Sequence, residues 1–327
     1  MFSKHPFKVL SNLIIVVLII SGMWITPAYA AGVLFVKQNG TGNCSSWATS
    51  CSLQTALTNA VSGDEVWVAA GTYKPTTGAD RTVSFLLIDG VALYGGFVGT
   101  ELLRVSRNPV TNITILSGDL NGDDNSNVKF DELTRADNSY HVVIGAANAT
   151  LDGFTITAGN ANNIYQSNGG GMLNNSCSPS LANILFSNNS VSGQGGGMYS
   201  FRSDSLLTNV TFNHNNSAGE GGGMFNIVSN PTLINVTFTS NSATTQGGGV
   251  YNNFNNTGNI TFTNVIFNGN SADWGGGIYN LNSGPSNPVI SSATFSNNSA
   301  IIGGGMYNGS SNPDLTNVTF TDRRAHV

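Results

Sequence analysis

The chain has 327 residues, of which 12 are basic and 17 acidic, and its net charge is −5. This balance argues against a nucleic-acid partner, since phosphate binding requires clustered lysine and arginine. Only 9% of the residues are charged while 40% are hydrophobic, so we expect a packed core whose surface is solvated mainly by asparagine, serine and threonine.

Residues 1–30 predict a cleaved secretory signal peptide. Lys4 and Lys8 precede an apolar run over 9–20, and residues 28–30 (Ala-Tyr-Ala) form a small-residue cleavage site. The alternative is an uncleaved membrane anchor, which the short apolar run disfavours. No other stretch approaches the roughly 20 apolar residues that span a bilayer. We therefore expect no transmembrane segment after signal removal, and an extracellular or cell-surface location.

Residues 31–65 are predicted to form an N-terminal cap. Apolar residues at helical spacing over 52–61 predict an amphipathic helix that covers the open end of the fold. Cys44 and Cys51 lie close in sequence, and in an oxidising compartment a local disulfide is favoured over zinc binding, because no CxxC pair or histidine cluster is present. The remaining Cys177 is expected to be a small buried filler.

Acidic residues concentrate in the segment 119–139. Asp119, Asn121, Asp123 and Asn125 follow the every-second-residue spacing of calcium-binding loops, which predicts a calcium site made by these four side chains. The match to an EF-hand is incomplete, because its sixth position is Asp124 instead of glycine. The alternative is a solvated loop that leaves the wall of the fold. Calcium is the only cofactor that the sequence suggests, and none is expected to be required.

The segment 169–320 is strongly periodic. Gly-Gly-Gly triplets recur at intervals of 26 to 28 residues, beginning at Gly169, Gly195, Gly221, Gly247, Gly275 and Gly303. Phe-x-x-Asn, a second marker, precedes every triplet after the first. Such a period predicts a solenoid, because one unit cannot bury its apolar side alone and must stack on its neighbours.

Each repeat contains short runs in which polar and apolar residues alternate, as in Asn-Val-Thr-Phe at 235–238, which is typical of a half-buried strand. Glycine, asparagine and proline bracket these runs, so helical repeats are excluded. We therefore predict an all-β right-handed parallel β-helix over 66–327, with regular coils at 169–320 and an internal ladder of stacked phenylalanines. The marker asparagines are predicted at turns, where they would adopt left-handed backbone and hydrogen-bond along the ladder.

Five aromatic residues follow the glycine triplets and form the candidate ligand-binding strip: Tyr199, Phe225, Tyr251, Tyr279 and Tyr307. They alternate with apolar residues, so one set should face the core and the other solvent. Outward rings would stack on sugars or contact a protein surface, and the alternative is plain packing. The substitutions Tyr251→Ala and Tyr279→Ala are then expected to abolish binding without unfolding the protein.

The two markers together resemble the repeats of the chlamydial polymorphic membrane proteins, with Gly-Gly-Gly-Met, as at 195–198, in place of Gly-Gly-Ala-apolar. Earlier segments, including Gly-Asp-Glu-Val-Trp-Val at 63–68 and Leu-Asp-Gly-Phe-Thr-Ile at 151–156, are similar to the opening of secreted bacterial β-helix proteins of the pectate-lyase-like superfamily. The resemblance implies a right-handed parallel β-helix at the bacterial surface or outer membrane. These families include adhesins, autotransporter passengers and lyases, so the resemblance does not choose a function.

Three functional hypotheses follow. The first is a non-catalytic adhesin or glycan-binding scaffold, favoured because Glu220 is matched one coil away by Gln194 and Gln246, so that no carboxylates align with a base. The second is a polysaccharide lyase or glycoside hydrolase that uses the acidic segment. The third is a fragment of a larger surface protein, since the repeat stops after Phe320 without its asparagine. We expect a polysaccharide or a cell-surface protein as partner, and a monomer.

Overall fold

The computed structural model describes residues 32–254, 258–282 and 287–322. The predicted signal peptide at 1–30 lies outside these residues. The described chain winds into a right-handed parallel β-helix of about ten turns, which confirms the predicted fold class. Its strands form four sheets, A to D, and every strand pairs in parallel with the equivalent strand of the next coil.

Sheet A contains the strands Val33–Val36, Glu65–Ala69, Ala92–Phe97, Thr150–Asp152, Ser180–Ala182, Leu206–Thr208, Thr232–Ile234, Thr261–Thr263, Val289–Ser291 and Asp314–Thr316. Sheet B contains Gly71–Tyr73, Thr114–Ser117, Thr155–Thr157, Leu185–Ser187, Thr211–Asn213, Thr237–Thr239, Ile266–Asn268, Thr294–Ser296 and Thr319–Phe320. Sheet C contains Phe85–Leu86, Val143–Ile144, Met172–Asn175, Met198–Phe201, Met224–Ile227, Val250–Phe254, Ile278–Asn282 and Met306–Gly309. Sheet D contains Asn160–Ala161, Ser190–Val191, Asn216–Ser217 and Ser242–Ala243.

A regular coil visits sheets C, A, B and D in that order, and the glycine triplet turns the chain from sheet D back to sheet C. The first glycine of each triplet has a positive φ, +71° at Gly195, which only glycine adopts without strain. The third glycine of each triplet lies close to the next coil. A Cβ added to Gly197 would lie 2.5 Å from the Gly223 carbonyl oxygen. Both features explain why these corners admit no side chain.

The core follows the axis of the β-helix, and like residues stack on like. The predicted phenylalanine ladder is present, with ring centroids 4.5–5.0 Å apart and planes within 3–15° of parallel, over Phe186, Phe212, Phe238, Phe267, Phe295 and Phe320. All of these rings except the last are fully buried. Each buried ring stabilises the fold by roughly 1.5–3 kcal/mol.

The marker asparagines differ in part from the prediction. They form a buried amide ladder with Nδ2 to Oδ1 distances of 2.9–3.0 Å from Asn189 to Asn298. Their backbone is not left-handed, however. The positive φ falls on the preceding residue, which varies from Asn188 to His214 and Ser240. Hydrogen bonding of the buried amide, and not backbone conformation, therefore explains the asparagine.

The ladder ends on a carboxylate instead of an amide. Asp322 Oδ1 accepts the backbone N–H of Asn298 at 2.8 Å, and Oδ2 accepts its Nδ2 at 3.3 Å. Asp322 lies two residues after Phe320, whereas the repeat places asparagine three residues after each phenylalanine. In the last described coil, a carboxylate therefore accepts the hydrogen bonds that the repeat pattern assigns to an asparagine side chain.

The predicted capping helix spans Leu53–Asn59 and begins at Ser52, whose side chain accepts the Thr55 backbone N–H. It buries Leu53, Ala56 and Leu57 and contacts the first strands of sheets A and C. A disulfide joins Cys44 to Cys51 beside it. The described residues include 3₁₀-helices at Trp47–Thr49, Arg104–Ser106 and Leu133–Arg135. None of the helices in the described ranges is long and apolar enough to cross a membrane.

Candidate functional site

The five predicted aromatic residues lie in one column on the outer face of sheet C. Alternation along each strand points Met198, Met224, Val250, Ile278 and Met306 into the core, and leaves the rings that follow them on the other face. Parallel register aligns the rings, because Tyr199 pairs with Phe225 and Tyr251 with Tyr279. Neighbouring centroids lie 4.7–5.2 Å apart, with planes within 3–14° of parallel. We call this the aromatic column.

The aromatic column is mostly buried, which corrects part of the sequence-based expectation. Phe225, Tyr251 and Tyr279 are only 3%, 7% and 6% exposed. Each ring covers the faces of its neighbours, and Ile227 and Leu281 pack beside them. Burial raises the pKa of the Tyr251 hydroxyl to about 12. A sugar therefore cannot lie flat on a middle ring, and Tyr251→Ala or Tyr279→Ala would open a cavity instead of leaving the fold intact.

Trp274 is the exposed aromatic residue next to this column. Its ring is 37% exposed and meets Tyr307 edge to face, at 5.0 Å and 80°. Ile302 pairs with Trp274 in the next coil and is 39% exposed. Sequence reasoning missed Trp274, although a signal was present: the equivalent positions in earlier coils hold Gln194, Glu220 and Gln246, so the tryptophan breaks a polar column. We call Trp274, Ile302 and Tyr307 the outer-wall patch.

The acidic segment leaves the fold after the sheet B strand Thr114–Ser117 and returns at the sheet C strand Val143–Ile144. It brings carboxylate oxygens of Asp119, Asp123 and Asp137 within 4.8 Å of one another. Two of these three residues belong to the predicted calcium set. Oxygen ligands at such a distance suit Ca²⁺, which takes six to eight oxygens from carboxylates, carbonyls and water.

The other two predicted ligands, Asn121 and Asn125, make hydrogen bonds within the same loop. The Asn125 amide donates to Glu132 at 3.0 Å and its carbonyl oxygen accepts the Asn127 N–H at 2.7 Å. Asn121 instead uses its backbone N–H to bond Asp137 Oδ2 at 2.8 Å. The Asn125 side chain is thus engaged with Glu132 and Asn127, and its role as a calcium ligand stays a prediction. Asp137 lies outside the calcium-loop spacing in the sequence. It is nevertheless the third carboxylate of the cluster, because the loop folds back on itself.

A buried arginine holds this loop against the coils. Arg135 is 1% exposed, and its guanidinium donates to Asp124 Oδ2 at 2.9 Å and to the carbonyl oxygens of Gly159 and Asn188 at 3.1 and 2.8 Å. Burial raises the pKa of the Asp124 carboxyl, and the Arg135 charge opposes that shift. The loop is thus tied to the next coil through Arg135.

A lysine lies beside the loop on the neighbouring coil. Lys74 follows the sheet B strand Gly71–Tyr73, which pairs with the strand that leads into the loop. Its Nζ donates to the Leu120 carbonyl oxygen at 3.0 Å. Sequence reasoning could not place Lys74 here, because 46 residues separate the two partners.

Within the part of the regular coils that the structure describes, no acid forms an ion pair with a base. All ion pairs among the described residues involve the region before Leu185, namely Arg104 with Glu65, Arg107 with Asp152 and Arg135 with Asp124. Asp204 instead accepts the Asn230 backbone N–H, and Arg202 lies over the Phe201 ring at 4.8 Å. The described coils therefore carry few charged residues, and none of these forms an ion pair.

The repeats match a known family model. Residues 183–199, 235–253 and 264–281 fit the chlamydial polymorphic membrane protein repeat. The chain is a β-helix with repeats that resemble those of the polymorphic membrane proteins. Each matched segment includes one marker asparagine and one ring of the aromatic column, so the family pattern coincides with the stacked elements of the coils.

One solved structure that resembles this chain is the pectate lyase Pel9A. The two have 10% sequence identity and a TM-score of 0.45, and the match covers 91% of this chain and 79% of that chain. Among curated protein sequences, none matches this chain significantly.

Proposed function

We propose that this protein is a non-catalytic scaffold at the bacterial surface, which binds a polysaccharide or a cell-surface protein through the outer wall of sheet C. The observation that carries the proposal is the outer-wall patch: an exposed indole and an exposed isoleucine beside a rigid stack of rings. Aromatic rings supply apolar contact area with little loss of side-chain entropy on binding. The polymorphic membrane protein repeats support a surface location, and residues 1–30 would direct export.

The experiment replaces Trp274, because it is the exposed ring. We expect Trp274→Ala to reduce retention on immobilised polysaccharides or on cells at least tenfold, with an unchanged unfolding midpoint. Tyr165→Ala is the matched control, since Tyr165 is exposed on another loop. Retention that is equal in both variants would contradict the proposal. Tyr251→Ala does not serve here, because its loss of stability, about 3 kcal/mol, would mimic a loss of binding.

A second candidate function is a calcium-dependent polysaccharide lyase. The convergence of Asp119, Asp123 and Asp137 beside Lys74 favours it, because a bound cation and a nearby amine are suited to proton abstraction next to a sugar carboxylate. In this role the three aspartates would hold Ca²⁺, which would neutralise substrate charge.

Calcium titration calorimetry tests this candidate. It predicts calcium binding that Asp119→Asn and Asp123→Asn each weaken at least tenfold, while Asp314→Asn, at an exposed position away from the cluster, has no effect. It also predicts unsaturated oligosaccharide products that a chelator abolishes. Absence of calcium binding at millimolar concentration would sink it.

A further inference from the structure

A second column of polar side chains lies in the core along sheet C, apart from the marker asparagines. In each coil it contains the residue two positions after the buried residue that follows the glycine triplet. Five of its six members are asparagines, and the first five members are at most 1% exposed. We call this set the sheet C polar column, and its members, each in register with the next, are Asn174, Ser200, Asn226, Asn252, Asn280 and Asn308.

The asparagines of the later coils form a continuous chain of amide hydrogen bonds. Asn226 Nδ2 donates to Asn252 Oδ1 at 2.9 Å, and Asn252 Nδ2 donates to Asn280 Oδ1 at 2.9 Å. Asn280 Nδ2 continues the chain to Asn308 Oδ1 at 2.8 Å. Each of these donors points to the following coil, so the carbonyl oxygens of the column face the preceding coil.

Asn174 has the same orientation at the start of the column. Its Oδ1 lies against Gly145 in the preceding coil, since a Cβ added to Gly145 would be only 2.0 Å from that oxygen. The same oxygen lies 3.9 Å from the buried Cys177 Sγ. The Asn174 Nδ2 is therefore on the side of the amide that faces Ser200 in the following coil.

Ser200 interrupts the column between two asparagines. Its side chain ends in a hydroxyl and lacks the carboxamide that would bridge Asn174 and Asn226. Asn174 Nδ2, Ser200 Oγ and Asn226 Oδ1 are buried and have no hydrogen-bond partner among the residues that the structure describes. Buried polar atoms in native proteins are nearly always paired, because an unpaired one loses its bonds to water without replacement. These three atoms surround the place of the missing carboxamide.

The donors and acceptors around Ser200 fit a water molecule and exclude an ion. Asn174 presents an N–H donor, which a cation does not bind, and Asn226 presents a carbonyl oxygen, which an anion does not bind. A water molecule accepts from the first, donates to the second and bonds to the Ser200 hydroxyl. Three hydrogen bonds are the usual number for a buried water molecule. Water is also small enough to occupy the space by which serine is smaller than asparagine.

We propose that one buried water molecule is bound at Ser200 and completes the sheet C polar column in place of the missing amide. It links Asn174 to Asn226, so the chain of hydrogen bonds is continuous from 174 to 308. The site involves neither the outer-wall patch nor the aspartate cluster, so it stands whether or not the protein binds a polysaccharide.

A high-resolution crystal structure of the purified full-length chain tests the proposal directly. We expect one isolated density peak at about 2.7–3.2 Å from Asn174 Nδ2, Ser200 Oγ and Asn226 Oδ1. The absence of a peak would overturn the proposal. So would a peak at about 2.3–2.6 Å from several oxygens, which is the distance that a calcium ion requires.

Two reciprocal variants should move the water. Ser200→Asn supplies the missing amide, so the peak should disappear and the new side chain should bond directly to Asn174 and Asn226. Asn252→Ser removes an amide from the intact part of the column, so a second peak should appear between Asn226 and Asn280. A peak that persists in Ser200→Asn, or no new peak in Asn252→Ser, would contradict the proposal. Either variant alone decides the question if the other does not fold.

Thermal unfolding gives a second readout. Ser200→Val fills the same space with apolar atoms and leaves Asn174 Nδ2 and Asn226 Oδ1 without partners, so the unfolding midpoint should fall by about 4 °C or more. Ser200→Asn should leave the midpoint unchanged or raise it, because every polar atom keeps a partner. An equal fall in the two variants would overturn the proposal, since the polar atoms would then not require a partner at this position.

Discussion

The regular coils at 169–320 and the irregular region at 32–160 contribute strands to the same sheets, but they differ in packing, in charge and in loop length. The coils repeat one packing arrangement, with stacked phenylalanines, stacked asparagine amides and few charged residues. The irregular region contains the long loops, the ion pairs of the described residues and the carboxylate cluster. We therefore expect the strict repeats to contribute mainly to the stability of the fold, and the departures from the repeat to contain the binding sites.

Trp274 is a departure from the repeat within the regular coils. The outer-wall patch arises where the polar column of Gln194, Glu220 and Gln246 is interrupted. Departures from the repeat, and not the repeated residues themselves, are therefore the places where we expect binding. Three predictions test this division, beginning with the largest effect.

The phenylalanine ladder should dominate the stability of the coils. Phe267→Ala removes a fully buried ring between two stacked neighbours, so we expect the free energy of unfolding to fall by about 3–5 kcal/mol. Ile266→Ala, the adjacent outward residue, should change it by less than about 1 kcal/mol. Urea unfolding followed by circular dichroism measures both. Similar losses for the two variants would show that the ladder has no special role.

The acidic segment should depend strongly on Arg135. Arg135→Met removes the buried guanidinium and leaves Asp124 without its charged partner, so we expect a loss of about 3 kcal/mol. Hydrogen exchange should increase in residues 119–139 and stay unchanged in the regular coils. Arg104→Met breaks an exposed ion pair and should cost less than about 1 kcal/mol. Increased exchange spread evenly over the coils would contradict a local anchor.

The smallest effect concerns pH. His141 is buried, with its Nδ1 at 3.0 Å from the Gly169 carbonyl oxygen, and burial lowers its pKa. The unfolded chain therefore binds the proton more tightly, so the stability that His141 contributes is complete above the unfolded pKa of about 6.5 and is lost as pH falls through the lower folded pKa. Denaturant unfolding at about pH 7.5 and about pH 5 should show this loss.

Two variants separate this effect from the general acid sensitivity of the protein. His141→Gln should reduce the difference in unfolding free energy between the two pH values, whereas His214→Gln, at an exposed position, should not. An unchanged difference in His141→Gln would assign the pH dependence to other groups.

Much of the fold could be predicted from the sequence, because a solenoid repeats its physical constraints. The spacing of the glycine triplets predicted the length of each coil. The period-2 alternation predicted that the side chains of Phe212 and Phe238 face the core. The cap helix followed from apolar spacing around Leu53 and Leu57. These inferences succeed because they depend on neighbours in sequence or on exact copies one coil away.

The candidate sites were less accessible to sequence reasoning. Alternation showed that Tyr251 and Tyr279 share a face, but not that stacking would bury them. Asp137 joins Asp119 only because the loop folds back, and Lys74 meets Leu120 only because two coils are in register. Such contacts depend on the path of irregular segments, which no periodicity describes.

The most direct test of the proposed function is to incubate the protein with immobilised and soluble polysaccharides, with and without calcium, and to score retention and new reducing or unsaturated ends together. The proposal predicts retention without cleavage, independent of calcium and weakened by Trp274→Ala. Cleavage that requires calcium and is lost in Asp119→Asn would contradict it and would assign the function to the acidic segment.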